Sequence, residues 1–238
     1  METKLVFLDT ETTGNDLLSD RLFQLCYKFD NTLRNEYFKP ETQISIKSQS
    51  ITHVTNEMVE DKPAFKDSTM AKEIQQLADE RIIVAHNAIF DIAMLSHEGI
   101  TIPRFICTLK VARALDAQNV IPEYNLQYLR YYLKLNIEGG AHEAKDDVLV
   151  LEALFARLLD KMMTLKPDRE EALLEMLKIS TQPSLFTQFP FGKHRGRRIE
   201  EVVISDRDYV LWLLEQKMQS PQDEEDWIFT LKHHLKIT

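Results

Sequence analysis

The chain has 238 residues, of which 44% are hydrophobic, and its formal net charge is -9. This apolar content excludes a disordered chain and allows one large domain, or an ordinary domain with a small second one. Two cysteines are too few for a disulfide-built fold, and the acidic balance argues against coating nucleic acid through charge alone. The start lacks a signal peptide's apolar region and no run reaches membrane-spanning length. We therefore expect a cytoplasmic protein without a membrane partner.

Short apolar runs bounded by turn-prone residues predict strands, and apolar positions at helical spacing predict helices. Residues 22–29 alternate between two faces, which predicts a half-buried strand. The other predicted strands are residues 4–9, 36–38, 44–46 and 82–85. The predicted helices are residues 67–79, 90–98, 108–115, 124–134 and 145–164. Early strands followed mainly by helices indicate a mixed α/β domain that ends near residue 165.

The composition changes after residue 165. Residues 166–188 are charged at first and predict a short helix followed by a linker. Residues 189–238 predict a small C-terminal module, in which Tyr209 and Trp212 follow an apolar helical pattern that favours core residues over the alternative, stacking platforms for bases. A solvated loop would explain the basic cluster of this module equally well. The cluster consists of Lys193, Arg195, Arg197 and Arg198.

The stretch LVFLDTETTG, residues 5–14, ends an apolar strand at two carboxylates. Asp9 and Glu11 share one face of an extended strand because successive side chains alternate. At about 4 Å two such charges repel by roughly 4 kcal/mol at an effective dielectric near 20, and a divalent cation would remove this cost. A solvated strand end explains the same pattern, so the pair alone leaves both interpretations open.

A second apolar strand leads into the segment HNAIFD, residues 86–91. Asp91 falls in the first turn of a predicted helix, where a carboxylate either complements the helix dipole or belongs to a functional site. His86 is either a structural histidine or part of that site, and Asn87 could cap the helix.

The segment HEAKDD, residues 142–147, begins the last long predicted helix. Leucines at helical spacing form an inward stripe that position 147 extends backward. Asp147 should therefore point to the interior edge, where a carboxylate is costly unless it is bound, whereas Asp146 is solvated or caps the helix. His142 lies on a glycine-containing loop and is a candidate general base.

Taken together, the segments FLDTETTG, HNAIFD and HEAKDD resemble the three motifs of the DnaQ-like, or DEDDh, 3′–5′ exonuclease family. The resemblance covers roughly residues 4–160. It implies a ribonuclease H-like α/β fold, with a mixed β-sheet flanked by helices. The site residues that it implies are the metal ligands Asp9, Glu11, Asp91 and Asp147, and the general base His142.

The resemblance also implies hydrolysis with two divalent cations, Mg²⁺ or Mn²⁺, which releases 5′-mononucleotides from a 3′ end. His142 would take a proton from the attacking water. Residues beside the motifs would bind the terminal nucleotide, namely Thr12, Thr13, Gly14, His86, Asn87 and Phe90.

The tail, FPFGKHRG followed by DYVLWLL, resembles the small C-terminal module of exonuclease X-like proteins. We infer that its basic cluster docks nucleic acid through the phosphates. The expected partner is single-stranded DNA or a DNA 3′ end. RNA remains an alternative substrate because the sequence does not locate a 2′-OH contact, and a non-catalytic nucleic-acid-binding module remains a second alternative. The oligomeric state is left open.

Overall fold

The computed structural model of this chain describes residues 3–137, 144–220 and 224–237. His142 and the adjacent Gly139–Gly140 pair lie outside the described residues. None of the helices within those ranges combines the length and the apolar character needed to cross a bilayer.

The sheet and the helices follow each other along the chain much as the apolar patterns predict. The strands are β1 (Leu5–Thr12), β2 (Leu22–Phe29), β3 (Thr32–Tyr37), β4 (Ile82–Ala85) and β5 (Phe105–Cys107). The α-helices are α1 (Ile46–Thr52), α2 (Asn56–Val59), α3 (Thr69–Glu80), α4 (Ala88–His97), α5 (Thr108–Leu115), α6 (Leu126–Tyr132), α7 (Ala144–Met163), α8 (Arg169–Thr181), α9 (Ile199–Ser205), α10 (Arg207–Lys217) and α11 (Glu225–Leu235). Short 3₁₀ turns occur at Phe65–Asp67 and Gly192–His194.

The strands form one mixed sheet in the order β3-β2-β1-β4-β5. β2 runs antiparallel to both β1 and β3, whereas β4 pairs parallel with β1 and with β5. The carboxyl ends of β1, β4 and β5 therefore meet at the same edge of the sheet. This arrangement confirms the predicted α/β class, a mixed sheet flanked by helices.

Helices cover both faces of the sheet. Val6 and Leu8 of β1 belong to a core that includes residues of α3 and α4. Phe7 faces the other way, into a core with α7, where its ring packs edge-on against Phe155 at a centroid distance of 5.4 Å. Alternation along β1 thus divides its side chains between two cores.

The prediction of a half-buried β2 is wrong, because both of its faces are buried. Gln24 is 3% exposed and Cys26 is fully buried. The polar-looking face of this strand is covered because α7 packs against β2 as well as β1. A single strand sequence does not show that a helix far along the chain will lie on it.

Two further differences concern short elements. The strand predicted near residues 44–46 is absent, since Ser45 caps α1 by accepting a 3.1 Å hydrogen bond from the Ser48 amide and helix begins at Ile46. β5 was not predicted, because three residues are too few to show a period.

The chain divides into two compact units. The first comprises Met1–Leu115 and Ile121–Ser180, and the second comprises Asp116–Val120 and Thr181–Thr238. Ala172 and Met176 of α8 lie in the α7-side core of the first unit. The second unit has its own core, which includes Phe189, Val202 and Leu231. The domain boundaries drawn from sequence at residues 165 and 188 remain a prediction.

We expect α8 to act as part of the first unit and not as a linker. Met176→Ala should lower the free energy of unfolding by about 2–5 kcal/mol, because the side chain is fully buried and its loss leaves a cavity. Leu174→Ala, on the same helix but 58% exposed, is the matched control and should change little. Urea unfolding followed by circular dichroism measures both, and equal effects would show that α8 is not anchored in that core.

Candidate active site

The carboxyl end of β1 extends beyond the end of its neighbour β4. β1 pairs with β4 only from Leu5↔Ile82 to Phe7↔Val84, whereas its pairing with β2 continues past Asp9 and Glu11. A register shift between Glu11 and Thr12 marks a bulge in that second pairing. Bulges bend a strand and redirect side chains, and they are frequent beside active sites.

Asp91 occupies the space beside this overhang. It lies in the first turn of α4 and is 4% exposed. Its Oδ1 atom accepts hydrogen bonds from the Thr10 backbone amide at 3.0 Å and from the Thr10 hydroxyl at 2.7 Å. Thr10 lies beyond the last residue of β1 that pairs with β4, and its amide is satisfied on that side by a carboxylate 81 positions away in the chain.

Three carboxylates converge next to this contact. Asp9 and Glu11 project from the same face of β1, and Asp147 comes from the first turn of α7. One oxygen from each residue lies within 4.8 Å of the others. Asp146 is not in this group of described residues, so the structure brings Asp147 to the strand end, as the leucine stripe predicts.

The proximity of these groups shifts their acidity. Burial, followed by the charges of Asp91, Glu11 and Asp147, raises the pKa of Asp9 well above its usual value. Burial and the charges of Asp147 and Asp91 raise the pKa of Glu11 to about 8. Burial raises the pKa of Asp91 to about 7, although the hydrogen bonds from Thr10 act in the opposite direction. Asp9, Glu11 and Asp91 therefore resist full ionisation, and the charge of Asp147 contributes to the raised pKa values of Asp9 and Glu11.

The residues present fit a hard divalent cation. Mg²⁺ and Mn²⁺ prefer carboxylate oxygens, and three of them converge here from β1 and α7. Asp91 lies close enough for its charge to raise the pKa of both Asp9 and Glu11. Positive charge at this position would remove the repulsion that the folded chain otherwise retains.

Gln127 is a site residue that sequence reasoning missed. Its side-chain amide donates a hydrogen bond to Oδ1 of Asp147. Arg130, three residues further along α6 and 7% exposed, donates from Nη1 to Oε1 of Gln127 at 3.3 Å and from Nη2 to the Ile137 carbonyl at 2.6 Å. The only signal in the sequence was the predicted helix at residues 124–134, which gave no reason to single out a glutamine.

The residues after the acidic pair are engaged within the chain. Thr12 donates from its hydroxyl to the Gly14 carbonyl at 2.6 Å. Thr13 is fully buried and donates to Oδ1 of Asp20 at 2.7 Å. Gly14 allows that aspartate to approach, since a Cβ at this position would lie 2.4 Å from Asp20 Oδ2. The predicted nucleotide contacts of these three residues remain predictions; the Thr12 and Thr13 hydroxyls and the missing side chain of Gly14 shape the loop.

His86 has both ring nitrogens occupied. Nδ1 lies 2.9 Å from the Thr108 hydroxyl, and Nε2 lies 2.8 Å from the Tyr124 carbonyl. Because a carbonyl only accepts, Nε2 carries the proton and Nδ1 accepts from the threonine. Burial lowers the pKa of His86 to about 4, which keeps the ring neutral near pH 7. His86, which follows β4, thus connects the end of that strand to the start of α5 and to the segment before α6 through the hydrogen bonds of its ring.

Asn87 and Phe90 lie at the start of α4. Asn87 is the residue before the helix, has a left-handed backbone with φ of 63°, and makes no side-chain cap hydrogen bond. Its side chain is exposed, and Phe90 is half-buried against the α3–α4 core. No described hydrogen bond involves the Asn87 side chain, and the Phe90 ring is only partly covered. The predicted substrate contacts of both residues stay predictions.

The basic cluster of the second unit is partly neutralised. Lys193 pairs with Asp206 at 2.7 Å. Arg198 pairs with Glu200 at 3.0 Å, and Arg195 is exposed. The fourth cation, Arg197, donates to His194 Nδ1 at 3.3 Å and to the Ser205 hydroxyl at 3.1 Å.

The prediction that Trp212 is a core residue is wrong, since the side chain is 52% exposed. Tyr209 is half-buried against the core of the second unit, as its pattern predicts. The two rings lie 5.7 Å apart. An apolar helical pattern fixes the buried stripe but not its width, so a residue at the border of the stripe can face solvent.

Comparisons with known proteins agree with this geometry. Residues 6–155 match the family model RNase_T, described as Exonuclease. Exodeoxyribonuclease 10 of Escherichia coli K12 is 33% identical over 205 residues, which cover 84% of this chain and 83% of that protein. The DNA polymerase III subunit epsilon of Rickettsia conorii is 30% identical over 169 residues, which cover 65% of this chain and 73% of the subunit.

A solved structure of exonuclease X in complex with 5′ overhanging duplex DNA aligns with a TM-score of 0.57 at 26% identity. The alignment covers 74% of this chain and 99% of that one. The ribonuclease H-like fold implied by the three motifs is therefore confirmed. The chain, with its four acids at one strand end, belongs to the exonuclease family of DnaQ-like 3′–5′ exonucleases.

Proposed function

We propose that this protein is a metal-dependent 3′–5′ exodeoxyribonuclease that hydrolyses DNA from its 3′ ends and releases 5′-mononucleotides. The observation that carries the proposal is the convergence of Asp9, Glu11 and Asp147, with one oxygen of each within 4.8 Å of the others. DNA is the proposed substrate because the relatives at 30–33% identity are named as an exodeoxyribonuclease and a DNA polymerase subunit.

The proposed cofactors are two ions of Mg²⁺ or Mn²⁺. Asp9, Glu11 and Asp147 would hold one ion, and Asp9 with Asp91 would hold the other. When bound, such ions supply positive charge to the phosphate oxygens and make water more acidic. Carboxylates with raised pKa values suit this purpose, since they bind a cation in place of protons.

The chain's own residues hold this site in place. Thr10 binds Oδ1 of Asp91 through two hydrogen bonds, which orients the second oxygen of that carboxylate. Gln127 orients Asp147 in the same way. For His142, which lies outside the described residues, we propose the role of general base that accepts a proton from the attacking water.

Substrate contacts are proposed around the same strand end. Thr12, Thr13 and Gly14 form the loop that would face the terminal nucleotide, and Asn87 and Phe90 would line the other side. Since both ring nitrogens of His86 are bonded within the chain, we propose that it supports this site indirectly. The second unit would add phosphate contacts through Arg195 and its neighbours.

Nuclease activity is tested with a 5′-labelled single-stranded DNA oligonucleotide and Mg²⁺ or Mn²⁺. We expect a ladder that shortens from the 3′ end and disappears with EDTA. Asp147→Asn should lower the rate at least about 100-fold, because it removes a carboxylate from the cation site. Asp146→Asn, the adjacent control, should stay within about threefold of wild type.

An uncut oligonucleotide with both metals would contradict the proposed activity. A greater loss in Asp146→Asn than in Asp147→Asn would show that the wrong aspartate is assigned. A matched RNA strand in the same reaction tests the substrate, and equal decay of RNA would overturn the DNA preference.

Stability should depend on pH in the metal-free protein. The folded-state pKa values of Glu11 and Asp91, about 8 and about 7, exceed their ordinary values of 4.5 and 3.8. The folded chain therefore holds protons that the unfolded chain has lost, and stability falls as pH rises through this range. Between pH 6.5 and 8.5 in EDTA the free energy of unfolding should fall by about 2–3 kcal/mol, and Tm by roughly 4–12 °C, since each kcal/mol corresponds to about 2–4 °C.

Differential scanning fluorimetry measures this slope. His86 contributes little in this window, because its lowered pKa changes stability mainly below its ordinary value of 6.5. Mn²⁺ should raise Tm more at pH 8.5 than at pH 6.5, and Glu11→Gln should flatten the metal-free slope. A Tm independent of pH and of metal would contradict the proposed cation site.

The docking role of the second unit is tested at Arg195, which is exposed and carries none of the described ion pairs. Arg195→Glu should weaken binding of a long DNA duplex and reduce its salt dependence by about one or two phosphate contacts. Lys72→Glu, an exposed position on α3, makes the same charge change in the first unit. An equal loss of DNA affinity in the two variants would show that only the net charge matters and would contradict the docking role.

A further inference from the structure

Helix α6 presents aromatic side chains to solvent. Tyr131 is 72% exposed and Tyr132 is 44% exposed. The half-buried Tyr128 stacks on Tyr132, with ring centroids 6.0 Å apart and planes inclined by 22°. We call Tyr128, Tyr131 and Tyr132 the α6 tyrosine face. Tyrosine rings offer large contact area at low entropic cost, and they are enriched where proteins bind partners.

The charge around the α6 tyrosine face suits an anion. Residues 124–137 contain Arg130 and Lys134 and no acidic residue, in a chain whose net charge is -9. Lys134 is exposed. The Arg130 guanidinium lies 5.5 Å from the centroid of the Tyr131 ring, and its side chain is otherwise buried and bonded within the chain. The positive charge beneath the ring is therefore fixed in position.

Trp212 provides a contrast within the same protein. It is also exposed, at 52%. On α10, however, the residues one turn before and after it include Asp208 and Glu215. Acidic neighbours disfavour a phosphate backbone, so the exposed Trp212 ring lacks the positive charge that binding a nucleic-acid strand would need.

The α6 tyrosine face lies beside the acidic site. Gln127, which donates to Asp147, is on the same helix and four residues before Tyr131. Residues four apart in a helix share a face and are separated by about one turn, roughly 5.4 Å along the axis. A strand whose 3′ end reached the acids would therefore pass within reach of these rings.

We propose that the α6 tyrosine face binds the unpaired DNA strand upstream of the 3′ terminus. The bases stack on Tyr131 and on the Tyr128–Tyr132 pair, and Lys134 contacts a phosphate. Stacking on aromatic rings tolerates any sequence, because every base has a π-face. This inference rests on the proposed function and names the part of the site that holds the substrate behind the scissile bond.

The test separates binding from hydrolysis. Fluorescence anisotropy of a labelled oligo(dT) of about twelve nucleotides, a length within the usual range of single-strand binding sites, is measured in EDTA, where no cleavage occurs. Tyr131→Ala should weaken binding by about fivefold or more, the loss expected for one stacked base, while Tyr131→Phe should bind like wild type. Lys134→Gln should lower the salt dependence by about one phosphate contact. Trp212→Ala is the matched aromatic control and should bind like wild type.

Several outcomes would overturn the inference. Wild-type affinity in both Tyr131→Ala and Tyr132→Ala would exclude stacking at this face, even if Asp147→Asn abolished hydrolysis and so upheld the proposed function. A Phe variant as weak as the Ala variant would assign the contact to the hydroxyl group. A change in sedimentation coefficient without a change in affinity would assign the face to a contact between two copies. Weakened binding by a protein that cuts no DNA would support the face and contradict only the proposed activity.

Discussion

Repulsion among carboxylates at the end of β1 is the constraint around which the first unit is built. Asp9, Glu11 and Asp147 bring oxygens within 4.8 Å of one another, and a single pair at about 4 Å costs roughly 4 kcal/mol at an effective dielectric near 20. Typical unfolding free energies are only about 5–15 kcal/mol. The raised pKa values of Asp9 and Glu11 mean that protons neutralise part of the cluster when no cation is bound. This partial neutralisation allows the fold to tolerate the cluster. Binding a cation should therefore stabilise the protein as well as prepare it for chemistry.

The sheet topology explains why these acids meet. β4 ends where α4 begins, so β1 continues alone on that side beyond Phe7. The Thr10 amide, which has no partner in β4, donates to Asp91. Asp9 and Glu11 point to the face of β1 opposite to the Thr10 side chain, and Asp147 of α7 lies on that face. One strand end thus positions all four acids. The backbone pairing of the strands fixes where the carboxylates lie, and the hydrogen bond from Gln127 orients the carboxylate of Asp147.

The sequence predicted those features that depend on local pattern and missed those that depend on distant contacts. β1 and β4 are short apolar runs followed by turn-prone residues, α7 has leucines at helical spacing, and the shared face of Asp9 and Glu11 required only an extended strand. The cover of α7 over the second face of β2, the bond from Gln127 to Asp147 and the occupied nitrogens of His86 each depend on residues at least 20 positions away. No local pattern encodes such pairs. The prediction that Trp212 is buried failed for a related reason, since the width of a buried stripe is set by the elements that pack against the helix.

Net charge and local charge lead to different expectations for a DNA-binding enzyme. At -9, the whole chain repels a phosphate backbone, and ion pairs with Glu200 and Asp206 reduce the positive charge of the basic cluster. The proposed electrostatic contacts are then limited to a few exposed cations such as Arg195 and Lys134, and the proposed stacking on the α6 tyrosine face would supply more of the affinity than in a basic protein. Stacking does not release counterions, so such binding depends weakly on salt. Stacking also requires unpaired bases, because the π-faces of paired bases are hidden inside a duplex. It therefore favours DNA that is single-stranded where it enters the site.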